Sequence, residues 1–126
     1  MSGTDPGAET PWPTKHVYDP PAPEDGHRVL VDRLWPRGLT KEKAQVDLWL
    51  KDIAPSTALR QWFAHRSDRF EEFARKYTAE LDDNPAVASL LRLAAEHPRI
   101  TLLHAAKHPT MNNATVLSHY LTTSPR

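Results

Sequence analysis

Two short apolar runs constrain the fold of this chain more than any other feature: Val29-Leu30-Val31 and Ile100-Thr101-Leu102-Leu103. Glu24-Asp25-Gly26 makes a turn before the first, and His97-Pro98 stops a helical pattern before the second. Both read as buried strands. A strand enclosed on both faces needs helices above and below, and the sequence between the two runs supplies helical patterns. The expected architecture is α/β: a small, mostly parallel sheet of about three to four strands, flanked by helices, in a single domain.

The first buried strand is expected over Arg28 to Leu34, with Pro36-Arg37-Gly38 ending it. Thr14 to Tyr18 reads as a short edge strand, stopped by Asp19-Pro20-Pro21, where two prolines deny the ladder its donors. Thr40 caps a short helical turn through Ala44. Val46 to Ile53 alternates imperfectly and is read as either a third strand or an irregular segment. Ser56, after Pro55, is a candidate N-cap for a helix to about Ala64. Asp68-Arg69-Phe70-Glu71 is a capping-box pattern. In the helix it opens, Phe70, Phe73, Tyr77 and Leu81 share a face, while Glu71–Arg75 and Glu72–Lys76 pair outside. Asn84-Pro85 is an N-cap followed by proline at the first helical position, and Val87, Leu90, Leu91 and Ala94 form that helix's stripe. A last helix, capped by Asn112 or Asn113, turns Val116, Leu117, Tyr120 and Leu121 inward. There is no internal repeat.

Half of the 12 prolines lie in the first 23 residues. Residues 1–13 have no periodicity and few large apolar groups, so a flexible proline-rich arm is expected there, with the α/β domain over 14–123. Trp12 is the exception and a candidate tether. Lys plus Arg equals Asp plus Glu, 16 against 16, so no global field draws the chain to nucleic acid or a membrane. Charge recognition must be local. The absence of cysteine excludes disulfides, thiolate nucleophiles and cysteine-bound zinc. No run approaches the roughly 18 apolar residues of a membrane span, and the N-terminus lacks signal-peptide blocks. Cytoplasmic residence is the default expectation.

In open α/β sheets, ligands bind outside the carboxyl ends of the strands. Here those ends read Asp32-Arg33-Leu34-Trp35-Pro36-Arg37-Gly38 and His104-Ala105-Ala106-Lys107. If the two strands are parallel neighbours, Arg33, Arg37 and Lys107 gather positive charge at one rim, and the amides opening the helix near Asn113 add to it. Arginine's planar fork suits carboxylate or phosphate, and Trp35 offers a flat face for a base, a sugar or a guanidinium. The competing reading is structural: Asp32 pairs with Arg28, Arg33 or Arg37, and Trp35 is core. Trp49 and Trp62, among apolar neighbours, read as core.

Ser56, Arg60 and His65 form a second set. Arg60 stands one helical turn after Ser56, so the two can face the same way. His65 is more than two turns on, too far along one helix to serve Ser56 as a base, and the cap role accounts for Ser56. His104 and His108 have the spacing of helical zinc ligands, but HAAKH straddles a strand end and no acid occurs between 104 and 113. No metal is assigned. With only four glycines, neither a dinucleotide fingerprint nor a phosphate loop can be written, so no cofactor is expected.

RVLVDRLWPRG at 28–38, DLWLKDIAPSTALRQWFAH at 47–65, FARKYTAEL at 73–81, and TLLHAAK followed by NNATVL at 112–117 together form a specific pattern. It resembles the bacterial domain-of-unknown-function family 488 (DUF488, YeaO-like) over residues 15 to 122. The resemblance implies a small intracellular α/β protein and supplies no reaction. Carried onto this chain, the family's characteristic polar residues are Asp32, Arg33, Arg37, Ser56, Arg60, His65, Lys107 and Asn113. Members of the family tend to read AAKD-x-x-HN; here the acid's place holds His108 and the histidine's place holds Met111. The usual tyrosine two or three residues before the lysine is His104. If that acid and histidine serve as a proton-transfer pair, the pair is missing, which weakens an acid–base reading more than a binding one.

The leading expectation is a binding module for a small anion, phosphate-bearing metabolites included, using Arg33, Trp35, Arg37, Ser56, Arg60, Lys107 and Asn113. An enzyme in the same pocket would use Asp32 or His65 in proton transfer, with the arginines stabilising developing negative charge. A third class is nucleic-acid or protein-partner binding. A pI near 7.1 and the lack of a basic stripe argue against nucleic acid, while Trp12 and the proline-rich arm offer a partner contact. The sequence names neither the ligand nor the oligomeric state.

Overall fold

In the computed structural model, which describes residues 12–123, four parallel strands form one sheet. They are β1 (Thr14–His16), β2 (His27–Leu30), β3 (Leu48–Trp49) and β4 (Ile100–His104), in the order β1-β4-β2-β3. The two apolar runs are therefore neighbours, with Val29 opposite Leu102 and Leu30 opposite Leu103. All five residues of β4 are buried, as a central parallel strand covered on both faces requires. The expectation of a flexible arm over residues 1–13 falls, for 1–11, outside the described residues. Trp12 and Pro13 are tied down: Ser118 Oγ donates to the Trp12 carbonyl (2.6 Å), and Leu102 N donates to the Pro13 carbonyl (2.8 Å).

Among the described residues, five helices flank the sheet: α1 (Lys41–Ala44), α2 (Thr57–Phe63), α3 (Phe70–Asp82), α4 (Ala86–Glu96) and α5 (Asn113–Thr123). Side chains of α2 to α5, among them Phe63, Phe73, Tyr77, Leu90 and Leu117, pack with Val29, Val31 and Leu102 in the main core. Alternation along the strands sends Leu30 and Leu103 to the opposite face, where Val17 joins them. That face is covered by the segment from Trp35 to Trp49. The polar corner after β2 thus also closes the second core.

Several elements end earlier than the sequence implies. β2, expected to reach Leu34, stops at Leu30. Val31 N still donates to the Leu103 carbonyl (3.1 Å), but side chains then take over the backbone acceptors. Asn113 Nδ2 donates to the Val31 carbonyl (3.2 Å) and Trp49 Nε1 to the Asp32 carbonyl (2.8 Å), so the ladder has nowhere to continue. The ambiguous segment 46–53 resolves into the two residues of β3 and a 3-10 turn over Lys51–Ile53. Asp68 does not cap α3. It lies in a 3-10 turn, Ser67–Arg69, and its carboxylate accepts instead from Arg66 at 3.2 and 3.0 Å. Of the two outer-face pairs expected on α3, Glu72–Lys76 forms, at 3.5 Å. Asn84 Oδ1 accepts from Ala86 N (2.9 Å), but the N-cap position of α4 falls one residue later than expected, on Pro85, so the proline stands just before the first helical residue rather than at it. No helix among the described residues is long and apolar enough to cross a membrane.

The amino ends of the strands are locked by a buried ion cluster. Arg28, 3% exposed, donates to the Asp25 carboxylate and to the carbonyls of Gln45 (3.0 Å) and Ala44 (2.8 Å). Lys15 and the Ala22 amide also donate to Asp25, and Thr101 Oγ1 donates to its carbonyl (2.7 Å). Gly26 makes the turn into β2 at φ +67°, with Arg99 O so near that a Cβ would sit 2.4 Å from it. Burial pushes the Asp25 carboxyl upward, but the Ala22 amide, Lys15 and Arg28 outweigh it, so its pKa lies below the ordinary value.

A carboxyl whose folded pKa is depressed stabilises the fold above its unfolded pKa and loses that contribution as pH falls through the folded value. Asp25→Asn should lower stability at neutral pH by about 3–5 kcal/mol, because it strands a buried guanidinium. Denaturant titrations should show this deficit narrowing below about pH 4, where the carboxyl of the unfolded wild-type chain begins to protonate while the folded one still resists. A deficit independent of pH across that range would contradict the assignment.

Candidate functional site

The carboxyl ends of β1, β2 and β4 open onto one recess, with a cavity of about 510 Å³. Asp32 organises it. Its Oδ2 accepts from Ala105 N (2.8 Å), just past β4, and its Oδ1 accepts from Asn113 Nδ2 (3.0 Å), at the start of α5. One carboxylate therefore joins two strand tips to a helix. The structural alternative in which Asp32 pairs with an arginine is not what forms: Arg28 is committed to Asp25, and neither Arg33 nor Arg37 reaches Asp32 as an ion pair.

The corner residues follow from that bridge. Arg33 is held by backbone, its Nε and Nη2 donating to the carbonyls of Pro55 and Ala54, each at 3.2 Å. Trp35 is half-buried; its Nε1 donates to the Leu39 carbonyl (2.6 Å) and its ring meets Trp49 edge-on at 5.5 Å. It belongs to the second core and still lines the cavity. Arg37 is exposed, and its carbonyl accepts from the Tyr18 hydroxyl (2.7 Å). Gly38 closes the corner at φ +75°, a backbone angle that side chains disfavour.

From α2, Arg60 lines the cavity but Ser56 does not. Ser56 accepts from Leu59 N (3.1 Å) as the cap and donates from Oγ (2.6 Å) and N (2.8 Å) to Glu80, fastening α2 to α3. His65 lines the cavity from an unusual backbone. Ala64 and His65 are both left-handed, at φ +49° and +58°, where a helix C-terminus normally places glycine. Asn112, not Asn113, caps α5, accepting from Thr115 N (2.9 Å), which frees Asn113 for Asp32.

Lys107 lies outside this cavity, in an adjoining recess of about 650 Å³ with His108, Pro109 and Met111. The recesses share Phe63, His65, Ala105 and Ala106. His104 and His108 part company. His104 is 3% exposed, edge-on to His16, with Nδ1 lacking a hydrogen-bond partner. Burial lowers its pKa against the opposing pull of Asp32, so its ring is neutral near pH 7. His108 stands exposed in the loop, its Nδ1 accepting from Thr110 N (3.2 Å) and Met111 N (3.0 Å). Among the described residues, no three His, Asp or Glu side chains gather closely enough to hold a metal ion.

Among the described residues, none of Arg33, Arg37, Arg60 or Lys107 forms an ion pair, and Asp32 is the one acid lining either recess. Sequence reasoning missed Tyr18 and Phe63. The first had a signal, since it follows the tip of another parallel strand; Phe63 is hidden within an apolar helix face.

Asp32→Ala should lower stability by roughly 2–3 kcal/mol, because two fixed donors lose a charged acceptor. Ala64→Gly should raise it by about 1 kcal/mol, because glycine adopts the left-handed cap without a Cβ penalty. Equilibrium unfolding checks both signs; a neutral Asp32→Ala would remove the bridge from the account.

The model described as "Inactive DUF488-N3 subclade" matches residues 13–125. An uncharacterized protein of Mycobacterium tuberculosis is 42% identical over 113 residues, covering 90% of this chain and 95% of that relative. The "Uncharacterized protein YeaO" of Escherichia coli is 43% identical over 107 residues, covering 85% of this chain and 93% of its own length. No solved structure matches the chain significantly. With a family model spanning nearly its whole length and relatives this similar, the chain belongs to the DUF488 family, with YeaO among its relatives.

Proposed function

We propose that the chain binds a small anion, with Arg33, Arg37 and Arg60 as its cationic contacts. The observation that carries the reading is that these three guanidinium groups line one cavity without an acidic partner among the described residues. Three cations against the single carboxylate of Asp32 leave the concave surface with a positive excess, which raises the local anion concentration even on a chain of zero net charge. The carbonyls of Ala54 and Pro55 aim Arg33 in advance, which lowers the ordering cost of binding. Phosphate and carboxylate both suit the planar fork of arginine.

Binding is favoured over catalysis on three grounds. Asp32 spends both carboxylate oxygens on fixed donors and serves as a scaffold. The matching subclade is described as inactive. His108 and Met111 occupy the positions where the family resemblance leads one to expect an acid and a histidine. His65, whose side chain makes no hydrogen bond among the described residues, is the remaining candidate for proton transfer.

Thermal melts in low-salt buffer test the reading. Inorganic phosphate or sulfate should stabilise the wild type by about 2.7 kcal/mol at a hundredfold excess over Kd. Arg33→Ala and Arg37→Ala should each weaken anion affinity by about tenfold or more. No shift with any anion, or equal shifts in the variants, would contradict it.

A further inference from the structure

The second recess points to the rest of the ligand. From its lining we infer that the anion is carried on a flat, largely apolar ring, so that the ligand is an aromatic phosphate monoester or a close anionic analogue. This rests on the anion reading and goes beyond it. The recess adjoins the arginine cavity along Phe63, His65, Ala105 and Ala106, so one molecule can occupy both.

Its chemistry differs from that of the arginine cavity. Phe63, Pro109 and Met111 present carbon and thioether surface, which aromatic rings prefer as neighbours. Nothing acidic lines it, and Lys107 at its edge favours an electron-rich ring or a second anionic oxygen. His65 lines both recesses, exposed and tilted 50° to the Phe63 ring at 6.2 Å, an imidazole available to an entering ring. The left-handed backbone beneath it is the kind of strain that folds retain at ligand sites.

The wall is also preformed. His108 Nδ1 accepts from the amides of Thr110 and Met111, and Asn112 Nδ2 donates to the His108 carbonyl (2.7 Å). Thr115 Oγ1 donates to the Thr110 carbonyl. Met111 is therefore held in place by its own backbone, and no hydrogen bond depends on its side chain. A ring entering beside it meets an ordered surface and loses little to loop rearrangement.

Isothermal titration with inorganic phosphate and phenyl phosphate separates the two claims. The wild type should bind phenyl phosphate about tenfold more tightly than inorganic phosphate. Met111→Ala should remove most of that gain while leaving inorganic phosphate affinity unchanged. Equal affinities in the wild type, or a gain that survives Met111→Ala, would overturn the ring site and leave the anion reading standing. Binding of neither compound would overturn both.

Discussion

The Asp32 carboxylate is the contact on which the rest of the site depends. It follows β2, accepts from the amide just beyond β4, and accepts from the side chain that begins α5. Three elements distant in sequence are fastened by one side chain at the point where the sheet ladder ends. Each bond is charge-assisted and half-shielded from water, so the bridge is strong enough to fix geometry and costs little desolvation. With both oxygens taken by neutral donors, Asp32 makes no ion pair with the arginines beside it among the described residues.

The two ends of the sheet therefore treat arginine in opposite ways. At the amino ends, Arg28 is buried and satisfied by Asp25 and two carbonyls, a structural cluster. At the carboxyl ends, Arg33 is held by carbonyls alone, and Arg37 and Arg60 are exposed on the rim of the cavity. A carbonyl aims a guanidinium without cancelling its charge. The difference between a fastening and the proposed binding surface lies in that distinction, and in the position of one carboxylate.

Much of the fold was legible because the strongest signals were local. Val29–Val31 and Ile100–Leu103 could be read as buried strands, and Phe73, Tyr77 and Leu81 as one face of a helix, from spacing alone. Boundaries were less legible, because tertiary partners set them. Asn113 and Trp49 end β2 by claiming its carbonyls, and no pattern within 28–34 announces either one. The sequence offered Asp32 several arginines nearby, and the structure bonds it to residues far along the chain. Ser56 and Arg60 sit one turn apart, yet Glu80 draws Ser56 away from the cavity that Arg60 lines. Lys107, beside the strand tip in sequence, stands in the next recess because the chain has already turned past Ala105 and Ala106.

A crystal structure grown in phosphate would test the central claim most directly. An anion is expected beside Arg33 and Arg37 while Asp32 keeps its bonds to Asn113 and Ala105. An empty cavity, with Asp32 turned to pair with either arginine, would contradict it.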